Sequence, residues 1–156
     1  MSTTVRIGNI EEAMDVFARV PEFHENPEET FWTAEEVMLR IRQAAYVILI
    51  AEVDGQRAGA MIGYDKAHDG SAYCWLAGVD ANLRRHGALR SLMQAFEQWS
   101  KEQGFHRLTI TTRNSRRSML LFLLSSEFSI VDVRENASGV QHNRIDLVKE
   151  IVAGKM

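Results

Sequence analysis

The chain has 156 residues, 46% of them apolar and 25% charged, and a formal net charge of -3. That length buries one core and is short for two, so a single domain over 1–156 is expected, and the balanced composition excludes a disordered or fibrous chain. The acidic balance excludes a broad nucleic-acid surface, which needs a basic excess, so nucleic acid is not an expected partner.

Thr4 to Gly8 alternates as a first strand. Asn9 then caps an amphipathic helix, IEEAMDVFARV, whose Ile10, Ala13, Met14 and Phe17 share one face, and Pro21 ends it. Thr33 opens a second helix, TAEEVMLRIRQA, with Glu36 completing a capping box. YVILIAEV and QRAGAMIGYDK are β-rich runs joined by Asp54-Gly55, a strong hairpin signal. SAYCWLAGV follows as another strand, where Gly78 marks a bulge or a close approach of backbone to a ligand. Leu89, Leu92, Met93, Phe96 and Trp99 recur at helical spacing up to the stop at Gly104. HRLTITTR is a strand that the crossover helix should place parallel to SAYCWLAGV. SRRSMLLFLLSSEF is a very apolar helix, expected buried against the sheet. FSIVDVRE and QHNRIDLVKE are strands about an NASG turn, and AGKM is a frayed tail. The order βααβββαβαββ predicts an α/β (α+β) fold: a mixed, mostly antiparallel sheet of about seven strands with helices on both faces.

Cys74 is the only cysteine, which excludes an internal disulfide or a cysteine-rich metal site. The five histidines show no ligand spacing, so no metal is expected. The opening MSTTVRIGNIEE has no secretory pattern, and no apolar run approaches the roughly 18 residues that cross a bilayer. A cytoplasmic protein without a membrane partner is the expectation.

The stretch from Leu76 to Gln103 concentrates the chemistry: a strand ending at Val79, a basic turn of Arg84, Arg85, His86 and Gly87, and the long helix. A helix start leaves backbone N–H groups unpartnered and carries the positive end of the macrodipole, so this turn is a natural cradle for a phosphate-bearing ligand. The order of elements, this turn and the strand-Asn114-helix step together resemble the GNAT superfamily of coenzyme A-dependent N-acyltransferases, over Thr4 to Glu150. The family's pyrophosphate signature is Arg or Gln, two free positions, Gly, one free position, then Gly or Ala. It falls on Arg84, Arg85, His86, Gly87, Ala88 and Leu89, and the last position departs from it. Leu89 either points into the core with the stripe that it begins or crowds the site.

The resemblance implies acetyl-CoA as co-substrate. It would be held by residues 84–89 with Arg90 in the first turn, by the backbone of Ala77, Gly78 and Val79 in a splayed strand, and by Asn114. Arg116 and Arg117 either reach its 3′-phosphate or are ordinary surface. The family often places a tyrosine acid in the helix after Asn114, and here that helix has none, with Phe122 or Leu123 in the region.

Transfer from a thioester to an amine needs no side-chain nucleophile, only a positioned amine, a polarised carbonyl and proton transfer. Glu52, a carboxylate late in an apolar strand, is the candidate base, against the plainer reading of an outward-facing strand residue. Tyr73, with Tyr64 near it, is the candidate acid, against simple packing. Cys74 reads as an inert buried hydrophobe. The segment from Pro21 to Glu36 carries Glu22, Glu25, Glu28, Glu29, Glu35 and Glu36 without a lysine or arginine. In the family this region walls the acceptor site, and an acidic wall would favour a cationic amine, whereas a charge run is also an ordinary solvated face. A homodimer through the last strands is open.

Two readings therefore stand. One is an N-acetyltransferase that moves an acetyl group from acetyl-CoA to a small-molecule or peptide primary amine by direct attack in a ternary complex. The other is a non-catalytic GNAT-like module that binds CoA or acts as a sensor.

Overall fold

The computed structural model describes residues 2–152, and the AGKM tail lies outside them. Seven strands, β1 (Thr3–Ile7), β2 (Tyr46–Val53), β3 (Gln56–Tyr64), β4 (Ser71–Val79), β5 (Arg107–Arg113), β6 (Ser129–Arg134) and β7 (Arg144–Glu150), form one sheet in the order β1-β2-β3-β4-β5-β7-β6. Every neighbouring pair is antiparallel except β4 and β5. The helices are α1 (Ile10–Phe17), α2 (Ala34–Ile41), α3 (Ala88–Glu102) and α4 (Arg117–Ser125). Among the described residues no helix is long and apolar enough to cross a membrane.

Alternation along the strands divides the core. Val47, Leu49 and Ala51 of β2 pack with Leu92, Met93 and Phe96 of α3, while Ile48 and Ile50 pack with Ala13, Val16 and Phe17 of α1 and Val37 and Ile41 of α2. Successive side chains of a strand point to opposite faces, so α1 and α2 cover one face and α3 and α4 the other. Both short helices start on the expected N-caps: Thr33 forms the expected capping box with Glu36, and Asn9 forms a second one with Glu12. Each satisfies two N–H groups that would otherwise lack partners.

The last helix departs from the expectation of full burial. Leu123 is fully buried in α4, but Leu121 is 67% and Leu124 44% exposed. Apolar residues occupy the whole run from Met119 to Leu124, and only one stripe of so short a helix can face the sheet.

Candidate functional site

A single inserted residue shapes the site. Along the β3–β4 ladder Ile62 opposes Leu76 and Gly63 opposes Cys74, so Trp75 is an extra residue on β4. Such a bulge bends its strand and breaks its ladder. The pairing of β4 with β5 stops at the same place, running from Ser71–Arg107 to Cys74–Ile110 and no further. Beyond Trp75 the two strands part, and the edge of β4 that faced β5 is open. Of the two readings of Gly78, a bulge or a close approach to a ligand, the first fails, because the bulge is at Trp75. Gly78 serves a different purpose, because a Cβ there would lie 2.8 Å from Val20 and 3.3 Å from Phe23.

The open edge offers backbone groups selectively. Asp80 N–H donates to Ala58 O at 2.7 Å, so alternation turns Gly78 toward β3 and turns Ala77 and Val79 toward the cleft. The Val79 carbonyl there accepts from Arg84 Nη2 at 3.0 Å and Nε at 3.2 Å.

At the end of the cleft the chain enters α3 through two left-handed residues, Arg85 (φ 70) and Gly87 (φ 79). Gly87 has open space where a Cβ would be, so its backbone angle rather than crowding calls for glycine. Gly87 is the N-cap of α3 without a side-chain hydrogen bond, and the first turn holds no acid. The N–H groups of Ala88, Leu89 and Arg90 therefore begin a helix that lacks an internal anionic cap. The His86 carbonyl accepts from Thr3 Oγ1 at 2.6 Å, which ties the turn to β1. Leu89 packs against the core on the α3 side, so its side chain does not crowd the turn. Arg85 and Arg90 are exposed at this helix start and Arg117 at the start of α4, and none of the three is in an ion pair among the described residues.

Arg84 is engaged. Its guanidinium forms a fork with Glu22, at 2.6 and 2.9 Å, and holds that carboxyl below its usual range. Arg116 donates to the Glu22 carbonyl at 2.8 Å. The 3-10 turn Pro21–His24 is thus tied to both sides of the parted strands. Asn114 turns from the cleft: its backbone N–H donates to Asn143 O at 3.0 Å and its amide approaches Val140 O at 3.4 Å.

The candidate catalytic residues lie apart. Glu52 is held by Arg6 at 3.2 Å, in a cluster with Glu12 and Arg57. Its strand is separated from β4 by β3, a span of roughly 10 Å at ordinary strand spacing. Tyr73 stands at the head of the cleft on the α1–α2 face, where burial raises its hydroxyl above the ordinary value. Beside it the Thr111 hydroxyl donates to Asp146 Oδ1 at 2.7 Å, and Arg134 donates to the same oxygen at 2.9 Å. Trp75 and Trp32 flank Arg40, whose guanidinium carbon lies 4.7 and 4.8 Å from their ring centroids. Asp146, Thr111 and this aromatic pair are absent from the sequence reading, because they meet only through strand register and the bulge. Cys74 is fully enclosed, and burial pushes its thiol up to about 12, so it is a neutral packing group. No cluster of metal-binding side chains occurs among the described residues.

This architecture, an open-edged strand leading to an uncapped helix start in a seven-stranded mixed sheet, is the acyl-CoA N-acyltransferase fold. The model of the acetyltransferase (GNAT) family matches residues 10–123, and the chain belongs to that family. No curated protein sequence matches it. Among solved structures it is similar to the ribosomal-protein-S18-alanine N-acetyltransferase from Escherichia coli. The two share 15% identity with a TM-score of 0.76, over 99% of this chain and 97% of that one. It is also similar to Ard1 from Thermoplasma volcanium, with 18% identity, a TM-score of 0.75 and coverage of 97% and 99%. A Bacillus subtilis acetyltransferase in complex with CoA matches at 13% identity with a TM-score of 0.73, over 96% of this chain and 99% of that one. At these identities the likeness is one of fold.

Proposed function

We propose that this chain is an acetyl-CoA-dependent N-acetyltransferase that acts on a primary amine in a ternary complex. The observation that carries the reading is that the opened edge of β4 and the uncapped start of α3 are consecutive parts of one cleft. The N–H groups of Ala88 to Arg90, with Arg85 and Arg117, suit the phosphates, and the edge at Ala77 and Val79 suits the amide-rich arm of the donor. The amine nitrogen attacks the thioester carbonyl carbon. The C–N bond forms, the C–S bond breaks, and the sulfur leaves as thiolate.

Tyr73, kept protonated by burial, is the group that we assign to reprotonate that sulfur. The amine's proton goes to a carboxylate. Asp146 lies on the Tyr73 side of the sheet and anchors both its donors through Oδ1, whereas Glu52 is held by Arg6 on a strand that β3 separates from β4. A cytoplasmic setting suits the lone, buried thiol.

The second reading, a module without catalysis, is favoured by one observation: a signature arginine is already paired with Glu22. Calorimetry with acetyl-CoA and a thiol-release assay against a panel of amines separate the two. The enzyme reading expects micromolar binding and amine-dependent thiol release, and no binding at millimolar donor would refute it. Gly87→Trp should weaken donor binding at least tenfold. The left-handed backbone there costs a side chain roughly 1–3 kcal/mol, so a melting curve must accompany the titration.

A further inference from the structure

Beyond the cleft the α1–α2 face of the sheet is left open by its helices, and the cross-strand register there aligns like charges. Arg113 of β5 opposes Arg144 of β7, and Arg144 opposes Arg134 of β6. Buried Ile145 and Leu147 point to the α3–α4 side, so the three arginines share the opposite face with Tyr73, Thr111 and Asp146. Like charges directly opposite one another in neighbouring strands are destabilising. The next row inward holds Thr111, Asp146 and Asp132. Of these acids Asp146 engages Arg134. Among the described residues neither Arg113 nor Arg144 has a carboxylate within ion-pair distance. The row thus carries an uncompensated positive charge.

Its place ties it to the cleft. Tyr73 pairs with Thr109, and Thr111 and Arg113 follow on the same face of β5, so the row lies about two residue pairs, roughly 13 Å, from the head of the cleft. In the 21–36 segment Glu22 pairs with Arg84 at 2.6 Å, and Glu25 lies 3.9 Å from Arg116. The arginine row thus adds a positive surface to the acceptor side, beside an acidic segment whose sequence reading left a cationic-amine wall and a solvated face both open.

We infer that Arg113 and Arg144 form an anion subsite and that the acceptor is an amine bearing a carboxylate. This rests on the acetyltransferase reading above. The planar guanidinium fork matches a carboxylate in two-point contact and stays charged at every physiological pH. Free amino acids and peptides with an acidic residue near the amino terminus both present that chemistry.

The test is a thiol-release assay with acetyl-CoA and matched acceptors: free amino acids against their α-amides, and peptides beginning with Asp or Glu against those beginning with Asn or Gln. The expected result is a preference of roughly 10- to 100-fold in kcat/KM for the carboxylate member, the range of a charge-assisted hydrogen-bonded pair. Which of the two series shows it identifies the source. Arg113→Gln and Arg144→Gln should each raise KM for the carboxylate acceptor about tenfold with little change in kcat, and Arg→Lys should recover part of the loss. The melting temperature of each variant is a second readout. Relief of like-charge repulsion should leave it level or raise it, while a purely structural ladder would lose stability.

Equal rates for both members of every pair, with amine-dependent thiol release intact, overturn this inference alone. A preference that survives both glutamine variants also overturns it. Absence of donor binding and of thiol release with every amine overturns the acetyltransferase reading, and the subsite with it.

Discussion

Glu22 sits where two demands meet. Its carboxylate neutralises Arg84, and its own carbonyl holds Arg116, so the arginine that opens the signature is committed before any phosphate arrives. A half-exposed ion pair of this kind is worth roughly 0.2–1 kcal/mol, so freeing Arg84 should strengthen donor binding modestly. Glu22→Gln is expected to tighten acetyl-CoA about two- to fivefold, as calorimetry would read. Looser binding would mean that the turn needs Glu22 to hold its shape. A second carboxylate tests the charge cluster around β1. Arg6 lowers Glu12 from the ordinary 4.5 to about 2. A depressed carboxylate contributes stability that is fully present above the unfolded value and is lost as pH falls through the folded one. The stability gap between wild type and Glu12→Gln should therefore be constant above pH 4.5 and close between there and about pH 2, measured by denaturant titration.

At the scale of elements, what could be read from the chain and what could not divide by range. The capping boxes at Asn9 and Thr33, the hairpin at Asp54-Gly55 and the stripe of α3 are each written within a few residues, and all are present in the structure. The cleft is different. Trp75 occupies an ordinary place in an apparently regular strand, and only the positions of β3 and β5 reveal it as the extra residue. Gly78 drew attention by its missing side chain, yet Val20 and Phe23 fill that gap from a distant segment. The arginine row is equally invisible along the chain, since Arg113, Arg134 and Arg144 come together only through register. Another glycine shows how tightly this region is built. A Cβ on Gly63, opposite the bulge, would lie within 2.6 Å of two atoms of Phe96. Phe96 is fully buried. Gly63→Ala should cost roughly 1–3 kcal/mol as overpacking, seen as a lower denaturation midpoint with an unchanged slope.

At the scale of the whole molecule the sheet does two separate jobs. From β2 to β4 it is covered on both faces and carries most of the core, and on the far side β6 has every residue exposed. The acceptor side is thus exposed sheet at the margin of a closed half. Substitutions among Arg113, Arg134 and Arg144 should alter acceptor choice at little cost in stability. Substitutions in the other half, such as Leu92→Ala on the buried face of α3, should cost roughly 2–5 kcal/mol.

The bulge at Trp75 also bears on ancestry. Before it Cys74 faces α3, and after it Leu76 faces α1 and α2 while Ala77 and Val79 return to α3. With Trp75 removed, Cys74, Leu76 and Ala77 fall into plain alternation, and Ile62 and Gly63 oppose consecutive residues. Both cores stay in phase. A deletion of this one codon should therefore yield a folded protein in which β4 can continue along β5, leaving no donor cleft. Retained helical and sheet signals by circular dichroism, with acetyl-CoA binding lost, would be the result. In the opposite direction, a sealed scaffold lies a single-codon insertion from a strand edge able to receive a thioester.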